Sequence, residues 1–416
     1  MKIVFISLDN FPFDGPCSSL LKKLLGSGLA SNFNEKYFIA ISKSVSPSIS
    51  KFGTIQVIRV VDWDQISFSF IKKEFMHFPL NSICGIYHKI ILRIKKQKKD
   101  DLSIINYSLS NQVYRALTNL NLTSEDIIIP VAGNYSTVYA AMRAKEQFSS
   151  KMLVYQVDPC STNQVYSEET YGNRFDFEKC MYNAADAVIT TPIIYKEMST
   201  ALSEEQMKKT YSMEFPNVAP SHQGGSIEKS NNDRRINCIY AGRVYKGARN
   251  PSLTLRLFNA LEDKRIIFML VGVDDVQARG YIGNTPLSDN IEFRNILPLE
   301  QTQSLMEKAD ILVNIGNIVT NQVPSKIFEY ISMGKPIVNV CVNHECPTLP
   351  YLKNYPYVLN IFEDDSDFEN QLQSLHTFIL ENSGKRVSPE FIYKEYETCT
   401  AQYCAAKMNN IIETIV

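Results

Sequence analysis

The feature that most constrains this chain is its rhythm: short, nearly unbroken apolar runs alternate with amphipathic segments along almost its whole length. A run such as Ile127-Ile128-Ile129-Pro130-Val131 leaves no polar face, so a strand built from it must be covered on both sides. Helices supply that cover in a doubly wound parallel sheet, which places the chain in the α/β class. In the first half the strand candidates are Lys2–Asp9, Tyr37–Ser42, Ile55–Val61, Ser103–Tyr107, Ile127–Gly133, Met152–Asp158 and Ala187–Thr191. Helical patterns lie between most of them, at Ser18–Leu29, Asn111–Leu120, Ser136–Phe148 and Phe175–Ala184.

The rhythm breaks once. Residues 221–235 (SHQGGSIEKSNNDRR) are polar, with a Gly pair and an Asn pair, and read as a linker. Strand candidates then resume at Ile236–Gly242, Ile266–Gly272, Asn290–Phe293, Ile311–Ile315, Pro336–Val340 and Tyr357–Ile361. Helices are expected over Pro251–Leu261, Glu300–Lys308 and Ser325–Met333, and one long helical pattern fills Pro389–Ile415. The 416 residues accommodate two domains of about 200 each. The boundaries predicted are 1–218 and 219–395, with the helix of 396–416 packing back on the first domain.

Charge and cysteine usage exclude several classes. Lys plus Arg (43) nearly equals Asp plus Glu (44), so no global field favours nucleic acid, and any phosphate recognition must be local. Nine cysteines show no CxxC pair or ligand spacing and read as free thiols of a reducing cytosol. The apolar stretch after Met1 is too short for a signal peptide, and no run approaches the ~18 apolar residues of a span. The expected location is cytoplasmic, with any membrane contact peripheral to the inner face. One segment invites that contact: residues 83–99 combine Ile83, Ile86, Tyr87, Ile90, Ile91 and Ile94 at helical spacing with six cations. A core-packing helix with a solvated basic end would have the same composition.

Two stretches concentrate chemistry. In Asn321–Pro336, Pro324 and Ser325 mark a helix start that follows the apolar strand ending at Ile315. Backbone N–H groups at such a start attract anions, Lys326 adds charge, and Glu329, one turn on, suits ribose hydroxyls. A plain capped αβ connection would look the same. The second stretch, Gly242–Pro251, carries Arg243, Lys246 and Arg249 in a βα loop, where open α/β sheets bind ligands. A departing diphosphate needs such cations, although a solvated turn could also hold them. Metal spacing is absent; Asp62-Trp63-Asp64 and Asp365-Ser366-Asp367 are the nearest approach, and neither adjoins these loops.

Together the stretches resemble the retaining glycosyltransferases of the B fold, in particular the large family-four group that builds bacterial surface polysaccharides. Gly242-Arg243 matches that family's Gly-Arg loop, and Arg249, or Lys246, its following cation. Glu329 matches the second Glu of a Glu-x7-Glu signature, and Gly334-Lys335-Pro336-Ile337-Val338 its tail. Asn321 stands where the first Glu belongs. The resemblance implies two Rossmann-like domains facing across a cleft, with the donor bound mainly by the second. It further implies Gly15 and Gly272 as sites of close approach to the donor, Pro216-Asn217 as a hinge, and Asp158 in place of a His that faces the donor sugar in many relatives. Asp158 before Pro159 also suits a turn, and none of the five histidines sits at a strand end in the first half.

The implied activity is hexosyl transfer with retention, from a nucleoside-diphosphate sugar, by family prior a UDP-sugar, to a glycan, lipid-linked or protein-linked hydroxyl, without metal or other cofactor. The implied catalytic set is Asp158, Asn321 and Arg249; Gly15, Gly242, Arg243, Lys246, Gly272, Ser325, Lys326 and Glu329 join Arg249 in binding the donor. Two alternatives stay open: a nucleotide-sugar epimerase of the same fold, and a non-catalytic nucleotide-binding subunit. A dinucleotide-dependent dehydrogenase is disfavoured, since no GxGxxG follows Lys2–Asp9.

Overall fold

In the computed structural model the apolar runs become strands and sort into two sheets. The structure describes residues 1–9, 11–12, 15–42, 46–62, 105–133, 135–163, 171–219, 235–244, 249–283, 285–364 and 367–416. Residues 83–99, most of the expected linker, Lys246 and the two Asp-x-Asp triplets except Asp62 and Asp367 lie outside them. The chain divides into one unit of Met1–Pro216 with Ala401–Val416, and a second of Asn217–Thr400. The sequence placed the corresponding boundaries at 218/219 and 395/396.

In the first unit the elements run β1 (Lys2–Ile6), α1 (Pro16–Gly26), β2 (Glu35–Ser42), β3 (Ser48–Phe52), β4 (Ile55–Val61), α2 (Tyr107–Thr118), β5 (Ile127–Pro130) and α3 (Tyr135–Phe148). They continue with β6 (Lys151–Gln156), α4 (Tyr171–Ala184), β7 (Ala187–Thr190), α5 (Pro192–Met198), α6 (Glu204–Lys208) and β8 (Thr210–Ser212). The sheet order is β3-β4-β2-β1-β5-β6-β7-β8, parallel except for β3, which turns back at Gly53 (φ 57) to pair with β4. The polar run Ser48–Phe52 carries no apolar signature because it is an exposed edge strand. Strand candidate Ser103–Tyr107 fails where it is described: Asn106 accepts from the Leu109 amide and caps α2, so Tyr107 opens a helix.

The second unit runs β9 (Ile236–Ala241), α7 (Ser252–Ala260), β10 (Ile266–Val271), α8 (Asp275–Ile282), β11 (Ile291–Arg294), α9 (Leu299–Lys308) and β12 (Ile311–Ile315). Then come α10 (Lys326–Ser332), β13 (Ile337–Cys341), α11 (Leu349–Leu352), β14 (Val358–Phe362), α12 (Phe368–Asn382) and α13 (Pro389–Glu395). The sheet is wholly parallel in the order β11-β10-β9-β12-β13-β14. Asn314, Asn339 and Asn360 stand at matching register on β12, β13 and β14, and their amides bond in series at 2.7 and 2.8 Å. One slipped residue would strand those buried amides without partners, so the ladder fixes register.

The long C-terminal pattern is not one helix. After α13 the chain makes a short 3-10 turn, and Thr400 becomes extended to bridge Val218, whose amide donates to Cys399 O at 2.9 Å. The final helix, α14 (Ala401–Ile415), belongs to the first unit. It buries Cys404, Ala405, Met408, Ile411 and Ile412 in that core, while Asn409 bonds both Gly28 O and the Ala30 amide. Among the described residues no helix is long and apolar enough to cross a membrane.

Candidate functional site

β9 has β10 on one side and β12 on the other, so the chain reverses its winding direction there, the point at which open α/β sheets form a ligand crevice. The loops that follow β9 and β12 are the two that sequence chemistry singles out. They line an open cavity of about 450 Å³, together with Val271, Gly272 and the segment Ile296–Leu299.

Arg249 is the best-held cation in it. Its Nη2 and Nε donate to Asn317 Oδ1 at 2.7 and 3.2 Å, and Nη1 lies 3.3 Å from both Tyr240 Oη and Arg243 O. Asn317 Nδ2 in turn donates to Gln322 O at 3.0 Å, so the amide cannot flip. Arg243 is exposed and lines the cavity. The Lys326 ammonium, expected as a free point charge, instead donates to Ala241 O at the end of β9. Burial pulls its pKa below the ordinary lysine value, as does the Arg249 charge, while Glu329 opposes the shift.

The glycines set the shape. Gly272 has φ +89, and a Cβ there would lie 2.8 Å from Gly242 O; a Cβ on Gly242 would lie 2.8 Å from Tyr240 Oη. Side chains at either position would collide with the groups that form the crevice floor. Ser325 is exposed on the cavity wall, in helical conformation and without a side-chain cap. Glu329 and Asn321 are outside that wall; Glu329 acts on Lys326 from one turn along, and Asn321 is 5% exposed. Lys335 of the Gly-Lys-Pro tail is structural: its ammonium caps α9 through Met306 O and Ala309 O at 2.8 and 2.6 Å.

In the first unit, Gly15 packs against Asp9, and the charges of Asp9 and Asp158 both act on the Cys17 thiol. Gly15 (φ +107) lies so close against the Asp9 carboxyl that a Cβ there would overlap it. Asp9 Oδ2 accepts from the Ser18 amide at 2.7 Å and so caps α1. The close approach that Gly15 permits is thus to Asp9, a residue that sequence pattern does not single out. Burial, then the charges of Asp9 and Asp158, push the Cys17 thiol up to about 12.

The segment carrying Asp158 is pinned from below. Glu178 on α4 takes Gln156 Nε2 at 2.5 Å and the Ser161 amide at 3.1 Å, Tyr182 Oη donates to Gln156 Oε1 at 2.8 Å, and buried Arg174 donates to Cys160 O at 2.8 Å. Burial raises the Glu178 pKa against the pull of those donors. Helical spacing alone cannot announce this network, because Arg174 and Glu178 look like any i,i+4 surface pair in sequence.

No family model matches the chain, and no curated relative does. Solved structures do. The outer-core lipopolysaccharide galactosyltransferase WaaB in its apo form superposes over 100% of both chains with TM-score 0.58 and 13% identity. Anabaena Alr3699/HepE in complex with UDP and glucose does so over 100% of both, with TM-score 0.63 and 10% identity. A putative UDP-N-acetylglucosamine 2-epimerase from Listeria monocytogenes matches 99% of this chain and 96% of its own, with TM-score 0.53 and 11% identity. The fold is therefore the two-domain B fold of glycosyltransferases.

Proposed function

We propose that this protein is a glycosyltransferase that takes a sugar from a nucleoside-diphosphate donor, a UDP-sugar by preference. The observation that carries the reading is Arg249, oriented by Asn317 at the switch point of the second sheet, on the wall of an open cavity that Lys326 shares. HepE, with UDP and glucose, and WaaB, a galactosyltransferase, support it by fold.

In this reading Arg249, Arg243, Lys326, Lys246 and the amides near Ser325 hold the diphosphate, with Gly242 and Gly272 keeping the floor open. Glu329 serves the ribose, Asn321 and Asp158 the hexosyl group, and Gly15 shapes the rim that Asp158 shares. The bond from the anomeric carbon to the diphosphate oxygen breaks while a bond to an acceptor hydroxyl forms. The hydroxyl proton passes to the departing phosphate, so stereochemistry is retained without a dedicated protein base. The chain supplies position and charge. The acceptor is a glycan, lipid-linked or protein-linked hydroxyl, and no metal takes part. An epimerase would need a poised acid–base pair; Glu178, the buried carboxylate that braces Gln156 and Ser161 on either side of Asp158, has both oxygens engaged by donors.

A thermal-shift panel of nucleotide sugars tests the reading. One donor at a hundred times its Kd stabilises by about 2.7 kcal/mol, and a flat response to all of them would reject it. The basic segment 83–99 supports contact with an anionic membrane carrying a lipid-linked acceptor. Changing Lys95, Lys96, Lys98 and Lys99 to Gln should abolish co-sedimentation with anionic vesicles; unchanged partitioning would remove the segment from the account.

A further inference from the structure

Arg249 is held by an amide where a carboxylate would bind it more tightly. Asn317 Oδ1 takes both Nε and Nη2, the near-parallel pair of donors that a carboxylate normally receives from arginine. Its contacts with Asn317 include the shortest one Arg249 makes, at 2.7 Å, whereas both Nη1 contacts, to Tyr240 Oη and Arg243 O, are long at 3.3 Å. The two bonds to one oxygen fix the guanidinium plane. Nη1, with both its contacts at 3.3 Å, is the nitrogen that an incoming phosphate oxygen can engage.

We infer that Asn317 is a positioning residue for the diphosphate: it orients Arg249 while leaving the guanidinium's positive charge uncompensated for the ligand. The inference rests on the glycosyltransferase reading above. The chemistry has one requirement, a neutral acceptor. A carboxylate at this place would hold Arg249 more tightly but cancel the field that stabilises a departing diphosphate. Asn317 is also tied within its own loop, because its Nδ2 donates to Gln322 O. That bond fixes which end of the amide faces Arg249, and it links the cation to the segment leading to Ser325 and Lys326. Gly316 is pinned just before it: a Cβ there would sit 3.1 Å from Val340 O and 3.2 Å from Cys346 Sγ, so the backbone presenting Asn317 has little room to shift.

The test is a double-mutant cycle on the full chain, read by calorimetric titration of UDP, GDP, ADP, CDP and dTDP. The four proteins of the cycle are wild type, Asn317→Ala, Arg249→Ala and the double variant, with Asn317→Asp alongside, each checked for folding by its thermal transition. Asn317→Ala also removes the bond to Gln322 O, and the cycle separates that effect. A penalty from the disturbed loop persists in the Arg249→Ala background, whereas a penalty from lost positioning of Arg249 disappears there. The expected result is that Asn317→Ala weakens the preferred nucleotide about tenfold with Arg249 present and less than twofold without it. Asn317→Asp, which adds a negative charge that repels the diphosphate in either background, should weaken binding more than Asn317→Ala. Equal penalties of Asn317→Ala in both backgrounds, or wild-type affinity in Asn317→Asp, would overturn the inference and leave the function reading intact. A folded wild type that binds none of the five nucleotides would overturn both.

Discussion

Arg249 and Glu329 are separated by what each would touch in the reaction. The guanidinium faces charge that grows as the leaving group departs, so Arg249→Ala should lower kcat by about 10²–10³-fold, as loss of a preorganised charge-stabilising donor does. Glu329 is assigned to the ribose, which changes little along the reaction, so Glu329→Ala should mainly raise the donor KM. Steady-state kinetics over a range of donor concentration distinguish the two. Equal effects of both variants on kcat would contradict these roles. At this scale the grouping was legible: Gly242, Arg243, Arg249, Gly272, Ser325 and Lys326 all line one cavity. What sequence could not yield was partnership. Nothing in Gly316-Asn317 signals that the amide reaches back across the sheet to Arg249, or that Lys326 is committed to Ala241 O. Such pairings depend on strand order, and β9 and β12 become neighbours only in the folded sheet.

At the scale of elements, apolar strands and their flanking helices announce themselves because burial imposes composition. Ile55–Val61 and Ile311–Ile315 end where the sequence pattern ends. Edge strands do not: Ser48–Phe52 and Thr210–Ser212 were missed, one at each edge of the first sheet and both short. The single helix expected over Pro389–Ile415 was overridden by backbone pairing between Thr400 and Val218, a long-range contact with no local signature. The α4 network gives this scale its own prediction. Glu178 accepts from Gln156 and Ser161, and its folded pKa is raised by burial. Its contribution to stability is thus greatest below the unfolded carboxylate pKa, and declines as pH rises through the raised folded value. Glu178→Gln removes one acceptor and aims an N–H at a donor, which should cost about 1–3 kcal/mol at pH 7. It should also flatten the wild-type fall in stability across that window. Chemical denaturation from pH 4 to 8 measures both, and a parallel pH profile in the variant would show that Glu178 does not titrate as described.

At the scale of the whole molecule, the claim is that the second unit's switch point is a diphosphate site and that the protein turns donors over. Binding alone would not distinguish an enzyme from a nucleotide-binding subunit, so the decisive observation is chemistry. Slow donor hydrolysis needs only water and the groups assigned to the donor, which makes an acceptor unnecessary for the test. The donor that stabilises the protein best is incubated in EDTA with wild type and with Arg249→Ala, and release of nucleoside diphosphate is followed by chromatography. The account predicts slow release by wild type that EDTA leaves unchanged, and release at least a hundredfold slower from the variant. No release by folded wild type, release equal in the two proteins, or activity that EDTA abolishes and Mg²⁺ or Mn²⁺ restores would contradict it.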